Sequence, residues 1–268
     1  VENKIVIITG AASGIGLATT RVFLESGNHV VMVDIDEENL SKATEGLNRF
    51  RDKIYTQVID ITVEKECKKL IEKVVKKYNR IDILINNAGI SMHTRFRDTD
   101  ISVIKRVMDV NFYGTVNCTY YALPYLIASG GSLVGITSVA AKHGLPGRSG
   151  YSASKFALQG FLESIRLEHF KTGLHVLTFA PDFVRTNIRA SALIANGTVR
   201  GKSYLNEKAL MSPDKVADAL YKAIRKRKRE IVLTFYGKGT LFTNLFMPGI
   251  ADRIYFKFFY NEPGSILK

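Results

Sequence analysis

Tryptophan is absent from this 268-residue sequence, and only two cysteines, Cys67 and Cys118, occur. They form no C-x-x-C pair, so neither a disulfide framework nor a thiolate metal site is indicated, and a reducing compartment fits. His93, His143 and His175 have no Asp or Cys at ligand-like spacing, so no metal and no histidine catalysis is expected. No apolar run approaches the ~20 residues that span a bilayer. Repeats, linkers and low-complexity tracts are also missing. With 46% hydrophobic residues, the sequence reads as one domain over residues 1–268. The first strand starts within a few residues of Val1, which leaves no room for a signal peptide, and a cytoplasmic location is expected. The missing initiator methionine leaves open a segment removed before Val1.

Negative charge is scarce: 38 Lys and Arg face 25 Asp and Glu, for a net charge of +13. The shortage is concentrated in residues 185–268, where sixteen basic residues face six acidic ones, so +10 of the excess lies there. Nucleic acid, an anionic membrane surface or an acidic partner could all exploit such a surface. No recognition motif accompanies the run Arg225-Lys226-Arg227-Lys228-Arg229, so nucleic acid is not the expected partner.

What is present is alternation. Short β-branched or apolar runs at 4–9, 29–33, 54–59, 83–85, 132–136, 175–179 and 231–234 read as strands. Between them, 17–26, 37–49, 64–78, 101–109, 113–128, 153–171 and 216–226 carry helical spacing or helix-forming composition. This order predicts an α/β fold, a doubly wound parallel sheet with helices on both faces. Periodicity fades over 182–211, which is expected to be a substrate lid, and 236–268 is expected to be a C-terminal aromatic extension.

The first strand runs into Thr9-Gly10-Ala11-Ala12-Ser13-Gly14-Ile15-Gly16 and then into the first helix. There backbone N–H groups and the helix dipole can hold a pyrophosphate. Asp34 ends the second strand, where a carboxylate can accept from both hydroxyls of an adenosine ribose and repel a phosphate on it. No Lys or Arg occupies Ser13 or Ile35 to offset that repulsion, so NAD is expected over NADP.

Tyr151-Ser152-Ala153-Ser154-Lys155 places a phenol and an ammonium at i and i+4, on one face at the start of a helix. A free tyrosine titrates near ~10, and a close positive charge would lower that value toward one useful for proton transfer.

With these motifs in order, the sequence resembles the short-chain dehydrogenase/reductase family over essentially its whole length. The resemblance rests on residues 9–16, on Asp60-Ile61-Thr62, Asn86-Asn87-Ala88-Gly89, Val110-Asn111-Phe112, Ile136-Thr137-Ser138, and on Tyr151 with Lys155. It implies a Rossmann fold and a catalytic set of Asn111, Ser138, Tyr151 and Lys155. The implied cofactor contacts are Gly10, Ser13, Gly14, Ile15, Gly16, Asp34, Asp60, Ile61, Asn87, Ala88, Gly89, Tyr151, Lys155, Pro181, Val184 and Thr186. In the chemistry it implies, Ser138 holds the substrate oxygen, Tyr151 exchanges a proton with it, and Lys155 holds the nicotinamide ribose. The amide of Asn111 would position a relay water. The family's Pro-Gly after the sixth strand reads Pro181-Asp182 here, so a glycine-only backbone conformation is excluded and the local turn is expected to differ.

The expected activity is therefore interconversion of a small-molecule secondary alcohol and a ketone or aldehyde, of lipophilic character, with NAD. A dinucleotide sensor without turnover and an NADP-dependent carbonyl reductase are the alternatives. Lys142, His143 and Arg148 lie near the expected substrate entrance, and solvent exposure accounts for them adequately. Ala122, Ala153, Ala157 and Gly160, with Phe156, Phe161 and Leu162, suit helix packing between subunits, so a homo-oligomer, dimer or tetramer, is expected. The apolar surface of residues 241–260 exceeds what one helix face can bury. It needs the lid, a second subunit or a peripheral membrane contact to cover it.

Overall fold

The computed structural model describes residues 2–202 and 210–268. Seven parallel strands form one sheet in the order β3-β2-β1-β4-β5-β6-β7: β1 (Ile5–Thr9), β2 (His29–Asp34), β3 (Ile54–Val58), β4 (Ile83–Asn86), β5 (Ser132–Ile136), β6 (His175–Ala180) and β7 (Glu230–Val232). The chain winds outward from β1 to β3 and then returns to the other side of β1 with β4. The crossovers therefore diverge between β1 and β4 and open a cleft at the carboxyl ends of the strands.

Alternation along β1 builds two layers. Val6 and Ile8 face α1 (Gly14–Glu25), α2 (Glu37–Glu45) and α7 (Pro213–Arg225), where Phe23 meets Tyr221 edge-on at 5.2 Å between ring centroids. Ile5 and Ile7 face α3 (Glu64–Tyr78), α5 (Gly114–Ala128) and α6 (Ser149–Glu168). Burying each such side chain stabilises the fold by roughly 1.5–3 kcal/mol, which is why the strands read as unbroken apolar runs. Cys67 and Cys118 meet between α3 and α5 as buried free thiols, 3.6 Å apart.

Beyond shifts of a few residues at the ends of other elements, three features differ from expectation. Residues 101–109 and 113–128 are joined without a break, because α4 (Ile101–Met108) passes into α5 through a π-helical turn, Asp109–Tyr113. Helix α6 starts at Ser149, four residues early, after the left-handed Gly147. The Ser152 hydroxyl accepts from the Leu145 N–H at 3.1 Å and ties that start down. Residues 37–49 form α2 followed by a 3-10 segment, Asn48–Lys53, rather than one helix.

The expected lid is strapped to the body as far as it is described. Leu193 N–H donates to Ser91 at 2.9 Å, and His93 N–H donates to Leu193 at 2.8 Å. Residues 203–209 of the lid lie outside the described residues. The aromatic extension forms two helices, α8 (Phe235–Phe246) and α9 (Pro248–Asn261), separated at Pro248. Among the described residues no helix is long and apolar enough to cross a membrane.

Candidate active site

One cavity of about 420 Å³ occupies the cleft, and nearly every residue expected to bind cofactor or substrate lines it. Gly10, Ser13, Gly14 and Ile15 come from the turn after β1, and Asp34 from the end of β2. Asp60 and Ile61 follow β3, Asn87, Ala88 and Gly89 follow β4, and Ser138 follows β5. Tyr151 and Lys155 lie on α6, and Pro181, Val184 and Thr186 follow β6.

The turn under α1 fits a dinucleotide diphosphate. Gly10 has φ +65°, and a Cβ there would sit 2.9 Å from the Ala88 backbone. Helix α1 begins without a capping side chain and without an acid in its first turn, so its positive end is left for an anion. A Cβ on Gly14 would lie 3.1 Å from Thr186 Cγ2, which places the segment after β6 directly over this turn. Gly16 does not line the cavity; it packs against the Gly10 carbonyl and the Asn87 amide and lets helix and turn close up. Asn87 locks the same turn, donating from Nδ2 to the Thr9 carbonyl at 2.9 Å and to the Gly10 carbonyl at 3.1 Å.

Asp34 is held by two backbone donors, Ala12 N–H at 2.9 Å and Asp36 N–H at 3.2 Å. Its neighbours in the cavity wall, Ser13, Val33, Ile35 and Ile59, are uncharged. Asp60 accepts from the Thr62 N–H at 2.9 Å and the Thr62 hydroxyl at 2.8 Å.

At the other end, Ser138 caps a short 3-10 turn, accepting from the Ala140 N–H at 3.1 Å, and lines the cavity with the Tyr151 phenol, whose charged form it favours. Lys155 Nζ donates to the Ile136 carbonyl at 2.9 Å and stands 5.8 Å from the Tyr151 ring centroid. Burial lowers the Lys155 ammonium to about 8. Burial also raises the Tyr151 phenol above its ordinary value, and the Ser138 hydrogen bond with the charges of Arg148 and Arg189 opposes that rise. The cations acting on the phenol here are thus the two arginines, whereas Lys155 is aimed at a main-chain carbonyl.

Asn111 lies behind the cavity wall, in the π turn. Its Nδ2 donates to Ile90 O and Ser154 Oγ, both at 2.9 Å, and its Oδ1 accepts from Ile90 N–H at 2.8 Å. Both amide N–H groups are therefore spent on protein, and only the second lone pair of Oδ1 remains to hold a water. Gly89 separates Asn111 from Lys155; a Cβ there would be 3.0 Å from Asn111 Oδ1 and 3.5 Å from Lys155 Nζ.

Asp182, in the place of the family glycine, keeps φ out of the left-handed region, and its Oδ2 accepts from Thr234 Oγ1 at 2.6 Å. Arg148 corrects an expectation: it is 7% exposed and lines the cavity, so solvation does not account for it. Lys142 pairs with Glu230 at 2.6 Å, and His143 stacks on Tyr255 with ring centroids 4.0 Å apart. Sequence reasoning also missed Arg189, which lines the cavity, and Tyr255 and Phe259, which pack with Ala140 and Leu145 beside it. The signal for the last two is the spacing Ala251, Tyr255, Phe259, one face of α9.

A cleft at the switch point of a parallel sheet, with a tyrosine and a lysine across from a glycine-rich turn, belongs to the dinucleotide-dependent α/β oxidoreductases. Residues 4–196 match the short chain dehydrogenase family. The chain is 31% identical over 262 residues to dehydrogenase/reductase SDR family member 7B of Danio rerio, covering 95% of this chain and 85% of that protein. It is 38% identical over 189 residues to a 3-oxoacyl-(acyl-carrier-protein) reductase of Thermotoga maritima, covering 69% of this chain and 76% of the relative. A short-chain dehydrogenase from Streptomyces avermitilis shares the fold, with a TM-score of 0.81 at 24% identity over 96% of this chain and 97% of that one. The chain belongs to the short-chain dehydrogenase/reductase family, whose members are oxidoreductases that bind NAD or NADP.

Proposed function

We propose that the protein interconverts a lipophilic secondary alcohol and its ketone or aldehyde, using NAD. The observation that carries this reading is the meeting of Ser138, Tyr151 and Lys155 at one end of a cavity whose other end presents Asp34 among uncharged neighbours. A bound nicotinamide supplies or takes the hydride. In oxidation the Ser138 hydroxyl holds the alcohol oxygen while Tyr151, as phenolate, removes its proton; in reduction the Tyr151 phenol returns it. Lys155 holds the nicotinamide ribose, and Asn111 Oδ1 accepts from a water that refills the proton. The wall of Val139, Leu145 and Phe183, backed by Tyr255 and Phe259, supports a lipophilic substrate. The carbonyl substrate in the name of the Thermotoga relative is consistent with this reaction type.

Tyr151→Phe tests the reading. Turnover should fall by at least about 10²-fold, the usual yield of a placed acid/base. NADH affinity should stay within about threefold, because the diphosphate is held by α1. Near-normal turnover would refute the role of Tyr151, and absence of NADH formation by the parent protein across an alcohol panel would leave a dinucleotide sensor instead.

The protein is further proposed to pair through α5 and α6 as a dimer or tetramer. Ala153, Phe156 and Gly160 face outward and suit such an interface, whereas Ala122 and Leu162, expected there from the sequence, are buried within the subunit. The outward residues Phe242, Leu245, Phe246, Ile250 and Ile254 of the last two helices, with Arg253 and Lys257 among them, suit peripheral contact with an anionic membrane.

A further inference from the structure

Arg148 and Arg189 are the two charged groups beside Tyr151 that the reaction above leaves without a task. Arg148 precedes α6 and Arg189 belongs to the 3-10 turn after Thr186, so they reach the substrate end from different segments. Both line the cavity and both act electrostatically on the phenol. Arg148 lies 5.2 Å from the Phe259 ring centroid and Arg189 lies 5.7 Å from that of Phe183, so the guanidiniums rest on an aromatic floor.

A buried guanidinium costs several kcal/mol unless its five N–H donors and its charge are met. The acid closest to Arg148, the equally buried Glu262, stands 3.6 Å away, longer than the ~2.7–2.9 Å of a charge-assisted bond. Arg148 also donates to the Pro146 carbonyl at a long 3.5 Å. Arg200 adds a further positive charge close enough to act on Arg148. Among the described residues three acids line the cavity. Asp34 and Asp60 lie at the β2 and β3 ends, across the switch point, and Asp182 is engaged with Thr234. Among the described residues that line the substrate end, Arg148 and Arg189 therefore set the charge. A latch between Arg148 and the C-terminal segment would account for Glu262, but it would not explain why Arg189, whose Nη2 donates to the Val184 carbonyl at 2.9 Å, also lines the cavity.

We infer that the substrate carries an oxyanion, a carboxylate or a phosphate monoester, clamped between Arg148 and Arg189, with its apolar part along Leu145 and Phe183. The inference rests on the proposed reaction, since it names the substrate class of that same site. Fork-shaped guanidiniums suit either oxyanion.

The test is equilibrium binding to the intact protein with saturating NADH, using decanoate, decyl phosphate and decanol below their micelle concentrations. At least one anion should bind ten times or more tighter than decanol, and the stronger arm identifies carboxylate or phosphate. That ratio should drop below threefold in Arg148→Gln and in Arg189→Gln. Glu262→Gln, which removes the competing carboxylate and keeps both arginines, should strengthen anion binding at least twofold. Decanol bound as tightly as both anions, a preference that survives in both arginine variants, or weaker anion binding in Glu262→Gln would each overturn the inference. No turnover is measured, so a failure here leaves the oxidoreductase reading standing, and a failure of the Tyr151→Phe test leaves the oxyanion site standing.

Discussion

Burial alone pulls the Lys155 ammonium to about 8, well below its ordinary 10.5. The protonated form is thus the one that the fold penalises. That penalty, about 3 kcal/mol at most, is complete below pH 8 and fades as pH rises toward 10.5, where the unfolded chain also loses the proton. Lys155→Met should therefore abolish turnover yet be favoured in the cofactor-free protein most strongly at pH 7, with the melting-temperature difference shifting against the variant by pH 10. A pH-independent difference would show that the charge is not what the cavity strains against. Asp34 poses a different case, a carboxylate whose neighbours Ser13, Val33, Ile35 and Ile59 in the cavity wall carry no charge. Like charges brought together cost several kcal/mol, so kcat/KM should favour NAD over NADP by at least about tenfold. Asp34→Ala with Ile35→Arg should reverse that order. Equal values for the two cofactors in the parent protein would refute the assignment.

The turn between β1 and α1 works only because its glycines let backbone meet backbone. An added methyl at Gly16 would overlap the Gly10 carbonyl and crowd Asn87 Nδ2 to 2.7 Å. Gly16→Ala should cost about 1–3 kcal/mol, lower the melting temperature by several degrees, and weaken NADH binding together with it. Unchanged NADH affinity would show that helix and turn separate without disturbing the phosphate site. Local motifs of this kind were legible in the sequence because their residues are neighbours in the chain: Gly10 to Gly16, Asn87 to Gly89, Tyr151 and Lys155. The strands were legible because burial on both faces leaves unbroken apolar runs. The π turn at Asn111 was not, since one extra residue per turn breaks the 3.6-residue period and reads as a gap between two helices. Nor was the early start of α6, because Ser149 and Gly150 carry no apolar signal; Gly150 is chosen by the closeness of Met92 and Ile104. Arg148 and Arg189 come together only through tertiary packing, so no spacing announces them, whereas Tyr255 and Phe259 were legible only as one face of α9 and not as neighbours of the site.

Among the described residues, exposed apolar surface includes two groups, one at Tyr113, Tyr120 and Phe156 on the π turn, α5 and α6, and one on the last two helices. Pairing through the first site should give a mass of at least twice 29.9 kDa by light scattering at micromolar protein in detergent-free buffer. A mass of one chain would refute the oligomer. Aggregates in detergent-free buffer that detergent resolves to single chains would assign the second patch to a membrane.

The segment after the last strand also reaches back across the fold: Arg95 donates to the Ile266 carbonyl and, at 2.9 Å, to the Lys268 carbonyl, while Tyr255 and Phe259 pack with Leu145 beside the cavity. During synthesis these residues leave the ribosome after every strand of the sheet has emerged, and chains fold from the N-terminal side as they appear. A growing chain can therefore form the glycine turn after β1 and bring Tyr151 and Lys155 onto α6 before the aromatic residues beside the cavity are translated. Birth order divides the surroundings of the cavity in time, with the sheet and its turns first and the aromatic buttress later.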